Sequence, residues 1–206
     1  MRSTFRAVRR IFLLSMAAVL LVGGWLLREQ RELADSMIRL HVVANSDSGA
    51  DQRLKLAVRD RVLELAAGYY PEHATLEQAR EVLSDHLGEL SQAGQQVVRE
   101  WGRTYPVSAR LERRWFPTKT YEGFSLPAGN YHALNIVIGE GAGHNWWCVA
   151  FPPLCLGAAA EPLEDAVQAG TFTEEQADLM RSASGGYVLK FRCLEFLGRL
   201  QEWFCP

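Results

Sequence analysis

The stretch GEGAGHNWWCVAFPPLC, Gly139 to Cys155, gathers the residues best suited to chemistry: three alternating glycines, two adjacent tryptophans, two cysteines and a proline pair. Cys148 with His132 or His144 as base, and Asn135 or Asn145 to orient that base, has the residue types of a Cys-His-Asn hydrolase. Gly139, Gly141 and Gly143 follow a strand-like run, as in a phosphate cradle. A dinucleotide loop, however, leads into a helix whose amides face the pyrophosphate. Here the glycines lead into NWWCVAF, which is strand-like, and Glu140 places a negative charge in the turn. A hairpin that needs positive φ is the simpler reading.

Cys148 and Cys155 lack the paired spacing of a zinc site. Asn45, Asp47 and Asp51 offer oxygens to a calcium ion but lack the calcium loop's spacing and terminal Glu. Capping of the following helix explains them better, so no metal and no cofactor is implied. In a structural reading, Pro152 and Pro153 end the strand and stiffen its return, which lets Cys148 and Cys155 form a disulfide. Closing so short a loop contributes about 2–3 kcal/mol. Side-chain alternation along NWWCVAF puts Trp147, Val149 and Phe151 on one face, under helices, and Trp146 on the open face.

The elements around this stretch follow from periodicity. MIRLHVVA alternates like a half-buried strand, with Ile38, Leu40 and Val42 inward and Arg39 and His41 outward. NSDSGADQ is a turn and cap, with Ser48 or a neighbouring Asp or Asn as the capping residue. It opens a helix with a Leu54, Val58, Val62, Leu65 stripe that stops at Gly68, where Asp51 and Lys55 stand as an i,i+4 pair. Thr75 and Gln78 form a capping box for a long helix expected to break near Gly94, and Thr173 and Gln176 form another. Short β-rich segments run from Tyr105 to Phe151. A last strand at Tyr187–Phe191 precedes a terminal helix, on which Cys193 and Cys205 lie too far apart to pair. The fold class is α+β: a mostly antiparallel sheet with helices packed on one face.

Arg2, Arg6, Arg9 and Arg10 precede an uncharged apolar run from Ile11 to Leu27. That order keeps the N-terminus in the cytoplasm and sends the remainder across the membrane. The best small-x-small site, Ala34-Asp35-Ser36, lies well downstream, so a cleaved leader and a retained anchor both stay open. Residues 1–36 are read as a signal peptide or N-terminal membrane anchor, and residues 37–206 as one exported domain. The segment to Ser36 holds six of the 22 Lys and Arg and three of the 24 Asp and Glu, leaving 16 against 21 and a formal charge of −5. An acidic body without a basic patch argues against nucleic acid as a partner.

Two blocks, VVANSDSGADQRLKLAVRDRVL and LPAGNYHALNIVIGEGAGHNWWCVAFPPLC, together with YVLKFRCLEF near the end, resemble the signature segments of the stage II sporulation protein R family. The resemblance implies a non-enzymatic signalling protein of endospore formers, exported from the forespore into the space between it and the mother cell. There the family triggers a mother-cell membrane aspartic protease that processes the sigma factor E precursor. It supplies no contact residues, and Cys193 and Cys205 have no place in its pattern. The partner-binding candidates therefore come from this sequence alone: Trp146, with Pro152 and Pro153 stiffening its segment, and Asn45 and Asp47, expected to matter for stability first and for signalling second.

Overall fold

The computed structural model describes residues 2–71, 73–121, 124–154, 163–168 and 170–184. The expected strand at Tyr187–Phe191, the terminal helix, and Cys155, Cys193 and Cys205 lie outside the described residues. In chain order the elements are α1 (Arg2–Ala34), β1 (Ile38–Val43), α2 (Gly49–Tyr69), α3 (Leu76–Asp85), α4 (Leu87–Glu100) and β2 (Val107–Phe116). They continue with β3 (Lys119–Thr120), β4 (Ser125–Leu126), β5 (Gly129–Ile138), β6 (Asn145–Phe151), α5 (Leu163–Gln168) and α6 (Glu174–Ser184).

The α+β reading holds. The main sheet has the order β2-β5-β1-β6, with β1 parallel to β5 and the two outer pairings antiparallel. The β5–β6 connection is not the hairpin read from the sequence, because β1 lies between those strands. No periodicity marks that insertion, since it is set by pairing between residues about a hundred positions apart.

Helices α2, α3 and α4 cover one face. Their core joins Leu54, Val58 and Val62 of α2 and Leu83 and Leu90 of α3 and α4 to Leu40, Val42, Leu134 and Ile136 of the sheet. The opposite face is covered too, by Leu33 and Ala34 at the end of α1, by Phe124 and Leu126 around β4, and by Leu163, Ala166, Ala177 and Met180 of α5 and α6. All six residues of β1 are consequently buried, rather than alternating as a half-buried strand. Arg39 and His41 are 0% and 1% exposed.

Local signals place most helix starts. Ser48 caps α2 by accepting the Asp51 N–H at 3.2 Å. Thr75 and Gln78 form both halves of a capping box on α3, and Thr173 and Gln176 do so ahead of α6. Two expected stops move. The α2 helix runs through Gly68 to Tyr69 and ends where Tyr70 turns extended. The long helix breaks at His86 rather than Gly94. His86 stacks on Tyr69 at 4.1 Å and its Nδ1 donates to the Val82 carbonyl at 2.7 Å. Gly94 stays helical because it is a contact point: a Cβ there would lie 3.0 Å from Val107 Cγ1 and 3.2 Å from Val58 Cγ1.

Within α1, Phe12–Ala34 is long and apolar enough to cross a membrane. Its last turn nevertheless belongs to the domain. Leu33 and Met37 are fully buried, the Gln30 side-chain amide donates to the Ala128 carbonyl, and Asp35 pairs with Arg113 at 2.8 Å.

Candidate functional site

The last residues of β6 do not keep a simple alternation. Ile38 pairs with Phe151 while Arg39 pairs with Val149, so a bulge lies at Ala150. A bulge inserts one residue and reverses the facing beyond it. Trp147 and Val149 therefore pack in the core beneath α1, α5 and α6, while Cys148, Ala150 and Phe151 join the core under α2–α4. This corrects the expectation that Trp147, Val149 and Phe151 share one face. Nor does Trp146 lie on an open face, since helices cover both faces: it shares its side with Cys148 and stands beside α2. Trp147 is half-buried, stacked on His41 at 6.1 Å, with the Lys119 Nζ 4.5 Å from its ring centre.

At the C-terminal end of β1, the loop at Asn45–Ser48 and the loop at Gly139–His144 cross. Gly143 N–H donates to the Ala44 carbonyl at 3.0 Å and Ala142 N–H to the Asn45 carbonyl at 3.2 Å. The glycines are there for this crossing. A Cβ on Gly139, whose φ is +58°, would collide with the Asn45 carboxamide, and one on Gly143 would collide with the Ser46 carbonyl. No phosphate-facing helix follows them.

Side chains complete the lock. Asn45 Oδ1 accepts the Glu140 N–H at 3.1 Å, while its Nδ2 donates to Asp51 at 2.9 Å. Ser46 Oγ donates to the same Asp51 oxygen at 2.6 Å, and both bonds hold the Asp51 carboxyl below its ordinary pKa. Asp47 accepts the His144 N–H at 2.6 Å and bonds its Nδ1 as well. The backbone donor is the larger cause of the lowered Asp47 pKa. The side-chain oxygens of Asn45, Asp47 and Asp51 are thus mostly spent on holding two loops together. Lys55 does not pair with Asp51. It is 4% exposed and donates to Gln52 at 2.6 Å and to the His144 carbonyl at 3.0 Å. Burial lowers its pKa.

Directly beyond this lock, His144, Asn145 and Trp146 are three consecutive exposed residues. Trp146 is 38% exposed, and the Arg59 guanidinium of α2 lies 4.4 Å from its ring centre. A cation over the ring face restrains the indole without covering its edge. The strand register puts Trp146 opposite Val42 and Asn145 opposite Val43, so Trp146, Asn45 and Asp47 share one end of the sheet. Pro152 and Pro153 stand at the other end of β6, about 20 Å away at 3.3 Å per residue. Pro152 is buried and Pro153 half-buried.

The hydrolase constellation is not assembled. Cys148 is 1% exposed and disulfide-bonded. His132 lies on β5, two strand spacings or about 10 Å from β6, and neighbours Arg113. His144 is engaged by Asp47. Asn135 serves a different histidine: its Oδ1 accepts from His41 Nδ1 at 2.8 Å, while its amide nitrogen donates to Glu112.

A family model described as Stage II sporulation protein R (spore_II_R) matches residues 34–161, more than half of the chain. The chain belongs to the stage II sporulation protein R family. The Stage II sporulation protein R of Bacillus subtilis (strain 168) is 38% identical over 138 residues, which are 65% of this chain and 62% of that relative. The match therefore spans less than two thirds of the relative's length. No solved structure matches. The stage II sporulation protein R segment begins at the last residue of α1 and takes in both crossing loops and β6.

Sequence reasoning missed Ser46, Gln52, Lys55 and Arg59 as parts of this site. Their spacing from Asp51 fits a helix start and nothing more. Ser46 and Gln52 bond locally, to Asp51 and to the Ser46 carbonyl, but Lys55 and Arg59 meet the His144 carbonyl and the Trp146 ring across the crossing, some ninety residues away.

Proposed function

We propose that this chain is an exported signalling protein of endospore formation that acts by contact, activating a mother-cell membrane aspartic protease and so leading to processing of the sigma factor E precursor. Family membership supports the sporulation role, and the apolar helix behind four arginines supports export through a signal or anchor. The observation that carries contact as the mode of action is Trp146: a large aromatic, partly exposed, on a strand end locked by the Asn45–Glu140 and Asp47–His144 bonds. Rigid aromatic anchors of this kind dominate binding energy at protein interfaces. Asn45 and Asp47 act as the frame and Trp146 as the contact.

The test is co-expression of the chain, the protease and the sigma precursor in a host that does not sporulate. Cleavage that needs all three, and that stops when residues 2–27 are deleted so that the body, with the last turn of α1 kept, stays in the cytoplasm, is the expected result. Equal cleavage without the chain, or with the chain confined to the cytoplasm, contradicts the proposal.

A further inference from the structure

Strand β2 is an edge of the main sheet, ten residues long, in unbroken register with β5 from Val107 to Phe116. Its N-terminal end is capped by side chains that imitate a neighbouring strand: Val107 N–H donates to Gln95 Oε1 at 3.0 Å, and its carbonyl accepts from Ser91 Oγ at 2.7 Å. Since Val107 turns both backbone groups outward, antiparallel alternation turns those of Ala109, Leu111, Arg113 and Trp115 outward as well. Among the described residues no hydrogen bond from outside the sheet reaches the backbone groups of these four.

Alongside this edge runs a groove of about 680 Å³, walled by Glu77, Arg80, Glu81 and Asp85 of α3 and floored by Leu111 and Arg113 of β2. Arg80 is paired to Glu77 at 2.6 Å and Arg113 to Asp35 at 2.8 Å, so the unbalanced charges on the wall are the carboxylates of Glu81 and Asp85. The other face of β2 carries Arg110, Glu112 and Arg114, with a net positive charge. An unpaired edge is a template for strand addition, with backbone bonds giving affinity and alternate side chains giving specificity.

We propose that the β2 edge and its groove bind an extended segment of a partner protein as an added strand, with basic side chains turned towards α3 and apolar or acidic ones turned towards Arg110 and Arg114. A second copy of β2 fits poorly, because its net positive charge would face itself. The site is separate from Trp146, which stands on β6 at the opposite edge.

The experiment uses the isotope-labelled full chain in detergent micelles and the probe peptide acetyl-Lys-Val-Lys-Glu-Lys-Val-Lys-amide, read by amide hydrogen exchange. The amides of Arg110, Glu112 and Arg114, bonded to β5, serve as the internal reference. In the free chain the Ala109, Leu111, Arg113 and Trp115 amides should exchange fast, and saturating peptide should slow them at least tenfold. The same peptide N-methylated on its β2-facing amides should bind at least tenfold more weakly. The Glu81→Gln, Asp85→Asn pair should weaken binding at least threefold with unchanged melting. Equal binding of the methylated peptide would show charge attraction without strand addition and overturn the proposal, as would absence of protection at saturation. Amides already protected in the free chain, and released when residues 185–206 are deleted, would assign the edge to the chain's own tail and overturn it equally.

Discussion

The carboxylate of Asp47 accepts the backbone N–H of His144 at 2.6 Å, joining two loops 97 residues apart in the chain. Asn45 makes the parallel link to Glu140. Together they fix the strand end from which Trp146 projects, so their loss should be felt first as stability.

Asn45→Ala removes both the acceptor for the Glu140 N–H and one donor to Asp51. Leaving such partners unmet costs about 1–3 kcal/mol. Asp47→Ala should lower the melting temperature, whereas Asp47→Asn, which keeps an acceptor for His144, should restore most of it. Thermal melts of the three variants check this. An unchanged melt for Asp47→Ala with lost signalling would make the loop a contact rather than a frame.

His41 gives a pH dependence. Burial is the main cause of its lowered pKa, with the Asn135 bond acting the other way. The unfolded chain therefore takes up a proton near pH 6.5 while the folded chain does not, and stability rises with pH across that interval. Stability from this residue is full above about pH 6.5 and declines as the pH falls towards the folded value. His41→Gln should flatten the slope of unfolding free energy between about pH 7.5 and 5, with His132, also lowered by burial, keeping its own share. Denaturant titrations at several pH values give the slope, and an unchanged slope contradicts the assignment.

Arg39 is fully buried and has no carboxylate partner among the described residues. One Nη donates to Tyr121 Oη at 2.8 Å, and the guanidinium lies 4.2 Å and 5.0 Å from the ring centres of Phe116 and Tyr131, while its Nε and other Nη are unbonded. Ring contacts are worth about 2 kcal/mol when desolvated, less than the several kcal/mol lost by taking the charge out of water. Arg39→Met should leave stability unchanged or raise it by about 1–3 kcal/mol. A loss of more than that, by urea unfolding, would show that the ring cage outweighs the burial cost.

Much of the fold was legible locally. The stripe of α2, the Thr75 and Thr173 boxes and a cap in the Asn45–Ser48 loop, which falls to Ser48, are decided within a few residues. What was missed depends on distant partners. Arg39 and His41 looked like an outer face because nothing local shows that Phe116, Tyr131 and Trp147 close over them. Alternation alone puts Phe151 on the face of Trp147, because a single-residue bulge against β1 leaves no mark in composition. The glycines after β5 declare a conformational need, met at Gly139 and Gly141 by positive φ, but the loop they must pass follows from β1 lying between β5 and β6.

The central claim is that Trp146 presents to a partner and Trp147 holds the sheet. Trp147 packs on His41 and the α1 side of the core, so Trp147→Ala should cost about 3 kcal/mol in stability. Trp146→Ala, on a partly exposed ring beside Arg59, should melt close to the parent. The deciding measurement is sigma-precursor cleavage in the reconstituted host at matched levels of folded chain. The account predicts that Trp146→Ala needs at least about thirtyfold more chain for half-maximal cleavage, the affinity lost with an interface hot spot of about 2 kcal/mol. A folded Trp146→Ala that drives cleavage at the parent's concentration contradicts it.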